Sequence, residues 1–199
     1  MFNIPLATIK SRLRIPASDV ASEKHLESLD ILATSLTEGL LRSSLRPKKF
    51  QDVFNLNKAR MYKNLPNGRF PLVLSSGFVS DVEIRAYEKS YLTNYVGDLI
   101  TSFTLDEIDH EAGVIFIPEQ FENQEVAVIF KTGVYDYPVW VQELYLQNLE
   151  YSRSLPNEGS ENRVGERENH RTVISTLLQR NRRPLGNKLP PLFTKELPL

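Results

Sequence analysis

The residues best suited to binding a metal ion are three histidines and a group of closely spaced carboxylates. His25, His110 and His170 lie far apart, and none has a second histidine at the H-x-x-x-H spacing of a helical metal site. The carboxylates are Asp106, Glu107, Asp109 and Glu111. They lack the D-x-D-x-D-G spacing and the distal glutamate of a calcium loop. We therefore interpret the histidines as surface residues and the carboxylates as a solvated hairpin tip, and we predict no metal site.

Motifs for nucleophilic catalysis and phosphate binding are also missing from the sequence. The chain has no cysteine, so it contains neither a thiolate nucleophile nor a disulfide framework. Ser75-Ser76-Gly77 precedes a strand-like Phe78-Val79 instead of a helix, which argues against a hydrolase nucleophile elbow. No glycine-rich phosphate loop or dinucleotide fingerprint occurs. The sequence favours a protein without catalysis or cofactor, and the alternative is an enzyme whose site one sequence does not reveal.

The charged residues are distributed unevenly along the chain. The formal net charge is −1, yet residues 171–199 contain six basic residues and one acidic residue, and residues 1–170 carry −6. The basic residues of this tail are Arg171, Arg180, Arg182, Arg183, Lys188 and Lys195. This asymmetry predicts that the tail has a different partner from the body.

The tail combines its basic side chains with apolar residues and prolines. Its candidate binding residues are Arg171, Arg180, Arg182, Arg183, Lys188, Leu189, Leu192 and Phe193. The arginines could contact nucleic-acid phosphates, but that role does not require the apolar residues. Basic residues that alternate with apolar anchors and prolines are more typical of a peptide that docks in a groove of another protein. A disordered, solvated tail is the third interpretation.

Hydrophobic periodicity predicts an α+β fold with an extended tail. We expect helices over residues 6–14, 18–45 and 138–154, forming an antiparallel helical bundle. An antiparallel β-meander over about residues 50–132 is inserted between them, with strands at 70–79, 82–91, 99–105, 114–117 and 126–130. Asn67-Gly68 predicts a tight turn. Residues 1–154 then form the core.

Residues 155–199 are expected to lie outside that core. Residues 155–169 are rich in glycine, proline and charge, which is typical of an exposed loop. Val173, Leu177 and Leu178 could form one or two helical turns. Four prolines after residue 181 favour an extended segment without a helix.

Two apolar helix faces are candidates for the core or for contact with a neighbouring subunit. Their residues are Leu29, Leu36, Leu40, Trp140, Leu144, Tyr145 and Leu149. No apolar run approaches the about eighteen residues of a membrane span, and the first five residues lack the features of a signal peptide. The absence of cysteine fits a reducing compartment.

The order of several short motifs resembles that of the head–tail connector (adaptor) proteins of tailed bacteriophages. Residues 8–15, TIKSRLRI, followed by Asp19, are similar to the K-x-x-L-R-I helix that opens these proteins. Gly113-Val114-Ile115-Phe116 is similar to their G-x-I-x-F strand, and residues 126–133 to the strand that follows it. Tyr137-Pro138 and the helix after it complete the match. These segments cover under half of the chain, and its length is nearer to that of the larger adaptors of short-tailed phages.

The resemblance implies a structural virion protein at the head–tail interface, present in the host cytoplasm during assembly. Adaptors of this family form a ring, usually of twelve copies, that binds the portal protein above and a nozzle or stopper protein below. The genome passes through the channel without sequence-specific binding. Because the C-terminal segment reaches the portal in several members, the resemblance implies that the basic tail of this chain binds the portal. A nucleic-acid-binding module with a basic C-terminal tail is the alternative from another class.

Overall fold

The computed structural model describes residues 4–16, 18, 23–57, 69–89, 94–101, 108–118, 124–133, 136–155, 164–181 and 188–199. The chain forms two compact units. Unit 1 comprises Arg42–Tyr135 and Arg183–Leu199, and unit 2 comprises Phe2–Leu41 and Asp136–Arg182. The strands lie in unit 1 and the helices in unit 2. The predicted α+β class with antiparallel sheets is therefore confirmed.

Unit 1 contains two antiparallel sheets. The strands are β1 (Lys48–Asn55), β2 (Arg69–Val73), β3 (Ser80–Lys89), β4 (Asn94–Thr101), β5 (Ile108–Asp109), β6 (Val114–Pro118), β7 (Glu125–Thr132) and β8 (Phe193–Leu197). The larger sheet has the order β4-β3-β7-β1-β8, and the smaller one has the order β2-β6-β5. The expected meander is therefore not observed in the described sheets, because β7 pairs with β3 and β1 and not with β6.

The core of unit 1 lies between these two sheets. β7 is a run of β-branched and apolar residues, and successive side chains of a strand point to opposite faces. Its Val126, Val128 and Phe130 therefore share one face, on which they pack into the main core, whereas Ala127 packs on the other. The small sheet contributes Leu72, Ile115 and Ile117 to the main core. Because both faces of β7 are covered, β7 is the central strand of the unit.

The described part of unit 2 contains four helices, and three of them share a second core. The four helices are α1 (Leu6–Arg12), α2 (Glu23–Leu41), α3 (Val139–Ser154) and α4 (Val164–Asn181). The buried apolar cluster contains Leu13, Leu26, Leu29, Ala33, Tyr145 and Leu149. Two polar contacts between helices accompany it: the Tyr145 hydroxyl donates to Asp30, and Asn148 Nδ2 donates to Thr37 Oγ1 over 2.9 Å. These four polar groups thus have the partners that burial requires.

The long N-terminal helix ends earlier than the sequence suggests. The expected helix over 18–45 stops at Leu41, because Arg42 has a positive φ of 54°. Residues after it form hydrogen bonds within unit 1: Arg42 donates to the Leu74 carbonyl, and Ser43 Oγ donates to the Gly77 carbonyl. The tertiary hydrogen bonds of these polar side chains therefore replace the last helical turn.

The largest corrections concern residues 155–199. The expected loop over 155–169 gives way at Val164 to the eighteen-residue helix α4, where only one or two turns were predicted. Helix α4 packs on α3, and His170 and Arg171 contact Gln147 and Tyr151. The tail is extended, but it is not separate from the core, because it forms β8 of the larger sheet. The turn at Asn67-Gly68 and the second half of the predicted strand at 99–105 lie outside the described residues.

Gly133 provides a test of how β7 ends. Its φ is +74°, and a Cβ atom at this position would overlap the Arg46 carbonyl oxygen. We expect Gly133→Ala to lower the free energy of unfolding by at least about 1 kcal/mol, because alanine is strained at positive φ. Gly39→Ala is the control, since Gly39 lies within α2 with open space around it, and there alanine should add about 0.5–1 kcal/mol. Melting curves by circular dichroism would show opposite shifts, and shifts of the same sign would contradict this account.

Candidate functional site

The C-terminal segment 188–199 is attached to unit 1 at its first apolar residue. Leu189 is buried in the main core, where it packs among the residues between the two sheets. Its backbone N–H donates to the Pro71 carbonyl and its carbonyl accepts from the Val73 N–H, both over 3.0 Å. These two hydrogen bonds form a parallel bridge to Leu72 of β2. The tail is thus fixed to the small sheet before it reaches the large one.

The segment then joins the large sheet as its edge strand. β8 pairs antiparallel with β1, in a register that runs from Lys49 opposite Leu197 to Val53 opposite Phe193. The Leu192 N–H donates to the Val53 carbonyl over 2.7 Å at the start of this pairing. At the other end, Lys48 Nζ lies 3.1 Å from Glu196 Oε2, an exposed ion pair that contributes little. The backbone therefore supplies most of the attachment, as in the addition of a peptide strand to a sheet edge.

A buried carboxylate, that of Asp52, lies beneath the tail. Asp52 is fully buried on the face of β1 that also carries Phe50 and Phe54. Asp52 Oδ2 accepts from the Ser75 N–H over 2.6 Å, and Oδ1 accepts from Ser75 Oγ over 2.8 Å. The third donor belongs to the tail: Thr194 Oγ1 donates to Oδ1 over 2.6 Å. Asp52 therefore links β1, the loop after β2 and the tail.

The electrostatics of Asp52 follow from its burial. Burial raises the pKa of this carboxyl above its ordinary value of 3.8, because desolvation disfavours the charged form. The hydrogen bonds from Thr194 and from the Ser75 backbone and side chain act in the opposite direction and lower the pKa, but by less. These donors make a charged aspartate tolerable in the core, since a buried charge without partners would cost far more.

The outward side chains of the tail leave apolar surface exposed. Leu192, Phe193 and Leu199 are 49%, 41% and 76% exposed, which is unusual for large apolar residues grouped in eight positions. Phe193 also makes an edge contact with Tyr87, with ring centroids 6.0 Å apart. The segment is therefore fixed to the sheet through its backbone, while these three apolar side chains remain largely exposed.

The predicted tail residues are divided between the two units. Leu189 is part of the core, whereas Leu192 and Phe193 are exposed and Lys188 is half-buried. Arg171 and Arg180 lie on helix α4 in unit 2, and Arg171 donates to the Tyr151 hydroxyl over 3.0 Å. Arg182 and Arg183 lie outside the described residues. The structure thus brings Lys188, Leu189, Leu192 and Phe193 together on one segment.

The residues predicted for the core or for subunit packing all lie in unit 2. Leu29, Leu144, Tyr145 and Leu149 are buried, whereas Leu36, Leu40 and Trp140 are half-buried. Burial, the hydrogen bond to Asp30 and the charge of Asp30 together raise the pKa of Tyr145. Leu36 and Leu40 line a mostly apolar groove with Ile174 and Leu178 of α4.

A second polar cluster lies between α1, α3 and α4 in unit 2. Arg12 forms ion pairs with Glu143 and Glu150, at 2.5 and 2.9 Å. His170, which the sequence presented as an isolated surface histidine, lies 3.0 Å from Gln147 Oε1 and 3.6 Å from Glu150 Oε2. The cluster borders a cleft of about 390 Å³ and pairs Arg12 with two carboxylates. This arrangement is that of a network joining helices.

Metal-binding groups and membrane-spanning helices are both absent from the described residues. Within them, no group of three or more histidine, cysteine, aspartate or glutamate side chains could hold a metal ion. His110 Nδ1 lies 2.7 Å from the Val79 carbonyl oxygen. None of the described helices has the length and apolar character needed to cross a membrane.

Comparison of the sequence with protein-family models and with curated proteins finds no match.

Sequence reasoning missed the central residue of this site. Asp52 interrupts an apolar alternation, and its neighbours Phe50 and Phe54 indicate that position 52 points inward. An inward aspartate is the signal that could have identified it, because such a residue needs donors from elsewhere in the fold. The donors, Ser75 and Thr194, are 23 and 142 positions away in sequence, so the signal does not identify them.

Asp52 should make the stability of unit 1 depend on pH. Because its pKa is higher in the folded than in the unfolded chain, its contribution is fully present below about pH 3.8 and is lost as the pH rises through the folded-state pKa. The asparagine of the Asp52→Asn variant cannot ionise. The unfolding free energy of this variant minus that of the unsubstituted protein should therefore increase as the pH rises through the folded-state pKa of Asp52. Denaturant titrations at a series of pH values measure this difference.

The matched control is Asp81→Asn, since the Asp81 side chain is 64% exposed and paired with Lys131 on the same sheet. The control should not reproduce the trend of the Asp52 variant. A difference for Asp52→Asn that stays constant with pH, or moves in the opposite direction, would contradict the assignment.

Proposed function

We propose that this protein is a head-to-tail adaptor of a tailed bacteriophage, a structural virion protein without catalysis or cofactor. In this role, copies of the chain form a ring, with twelve as the expected number. The ring joins the portal to the tail nozzle or stopper, and the DNA leaves through its channel.

The observation that carries the proposal is that two separate segments of the resemblance pack together in unit 2. Leu13 and Ile15, from the K-x-x-L-R-I motif, join the cluster that contains Tyr145 and Leu149 of α3. Arg153, near the end of α3, donates to the Leu13 carbonyl. Motifs that lie more than a hundred residues apart therefore belong to one packed structure, which supports reading them as a single pattern.

The order of the two units along the chain supports the finer arrangement. The first part of unit 1 (Arg42–Tyr135) lies in sequence between the two parts of unit 2. We take α1, α2 and α3 as an antiparallel bundle and the β region as an insertion into it. Helix α4 and the tail then follow the bundle, in the place where the adaptor resemblance puts the portal-binding segment.

The part of the tail that can bind a portal is smaller than the sequence suggested. Leu189 is in the core of unit 1 and is not available to a partner. Deleting residues 181–199 would therefore damage the fold as well as remove the tail. Leu192, Phe193 and Leu199 are the exposed apolar residues, and Lys188 and Lys195 supply positive charge.

The charge of the described tail favours a protein partner over nucleic acid. Residues 188–199 contain two lysines and one glutamate, and Lys48 already pairs with that glutamate. Such a small excess of charge gives few phosphate contacts. The exposed apolar residues instead suit a groove on another protein.

The test is the native mass of the protein, alone and with candidate portal rings. We expect the protein to add to the portal in a fixed multiple of its chain mass. Leu192→Ser combined with Leu199→Ser should weaken that binding at least about tenfold, because each apolar side chain buried in a groove contributes about 1.5–3 kcal/mol. Both residues are exposed, so the fold should persist.

Val139→Ser is the matched control, because Val139 is 79% exposed but lies on α3 in unit 2. Portal binding should not change in this variant. If the tail variant binds the portal as tightly as the unsubstituted protein does, the role of the tail is refuted. A protein that does not bind the portal but binds duplex DNA, and that dissociates from the DNA as the salt concentration rises, would instead be a nucleic-acid-binding module.

A further inference from the structure

The C-terminal segment is attached to unit 1 by a small set of contacts. Leu189 is the single buried side chain among residues 188–199, all of which the structure describes. The other attachments are the backbone pairing of β8 with β1 and the hydrogen bond from Thr194 to Asp52. An edge strand with exposed side chains and few buried contacts opens at a low free energy compared with the core.

The covalent path to this segment passes through the other unit. The chain leaves unit 1 at Tyr135, continues through unit 2 and returns at Arg183. Six residues, 182–187, connect α4 to the described start of the segment. The segment is therefore bound to unit 1 by non-covalent contacts, while its nearest covalent neighbour is a helix of unit 2.

We propose that the segment 188–199 of one copy docks on β1 of a second copy of this chain, in place of that copy's own segment. The occupant is specified by the structure itself, since the sequence that fits this surface is the one already paired with it. A second copy carries the same sequence and offers the same surface, so exchange replaces each contact with an identical one. Exchange of an identical element is a low-cost route to oligomers because only the connection differs.

The surface on which the segment docks recognises side chains as well as backbone. Leu189 must enter the core beside Leu72, and Thr194 must place its hydroxyl 2.6 Å from Asp52 Oδ1. These two positions are five residues apart, so a segment in the wrong register cannot satisfy both. Without the Thr194 hydroxyl, the Asp52 carboxylate would keep the two hydrogen bonds from Ser75. A strand of unrelated sequence is therefore disfavoured.

The geometry of exchange decides which assembly results. Two copies that exchange segments reciprocally form a closed dimer. Copies that each donate to the next form a head-to-tail series, which closes into a ring if the rotation between copies permits. The inference rests on the pairing of β8 with β1 and does not require the adaptor function.

Two single-cysteine variants test the exchange, because the natural chain has no cysteine. Lys49 and Leu197 are opposite each other in the β1–β8 register, and both are half-buried. Opposite residues in an antiparallel pair have Cα atoms about 4.5–5.5 Å apart, which a disulfide can bridge. Lys49→Cys is prepared with a heavy-isotope label and mixed with unlabelled Leu197→Cys. After mild oxidation, mass spectrometry of the proteolytic fragments identifies which positions are joined and whether the chains differ.

We expect 49–197 disulfides between labelled and unlabelled chains, in excess of 49–49 and 197–197 links. The doubly substituted chain, Lys49→Cys with Leu197→Cys, measures pairing within one copy. If it closes its own disulfide while the mixture forms no 49–197 link, the segment stays on its own copy and the proposal is wrong. If it forms no disulfide at all, β8 does not pair with β1 and the proposal is equally wrong.

A synthetic peptide with the sequence of residues 188–199 separates specific docking from chance contact. An excess of this peptide should suppress the 49–197 link in the mixture. The Thr194→Val peptide should require at least about a tenfold higher concentration for the same suppression, because it lacks the hydroxyl that donates to the Asp52 carboxylate. The Lys195→Ala peptide is the matched control and should act like the natural sequence, since Lys195 is exposed. Equal suppression by all three peptides would overturn the role assigned to Thr194.

Discussion

The burial of β7 on both faces is the constraint on which unit 1 depends. A strand with apolar residues at consecutive positions cannot face water on either side, so it needs a neighbour at each edge and a layer on each face. β3 and β1 supply the edges, and the small sheet covers the face that carries Val128 and Phe130. Each of these elements comes from a different part of the chain, and so the unit forms only when all of them are present.

The C-terminal segment completes unit 1, so it is part of the fold and not a separate tail. Leu189 fills the core between the sheets, and β8 covers the edge of β1. The carboxylate of Asp52 lies where the segment, β1 and the loop after β2 meet, and its hydrogen bonds offset part of the cost of burying a charge. The tail is therefore both a structural strand and the carrier of exposed apolar residues. Both roles belong to one short segment.

This combination suits a protein whose work is assembly. In our proposals, the edge of β1 selects one sequence, and the exposed apolar residues of the segment bind another protein. Unit 2 contributes a helical core in which buried polar pairs, such as Asn148 with Thr37, fix how its helices meet. In the adaptor role that we propose, the same chain would bind its neighbours by strand addition and the portal by its exposed apolar residues. Neither kind of contact requires a catalytic centre.

The sequence by itself determined the local features of this protein. The period of its apolar residues predicted the helices around Leu29 and Leu149 and the strand that became β7, because periodicity reports which faces must be buried. It could not predict the strand order, the end of α2 at Leu41 or the length of α4, because each depends on contacts with distant residues. The same limit applies to the site. An inward Asp52 is visible in the sequence, whereas its link to Thr194, and hence the place of the tail, exists only after the chain has folded.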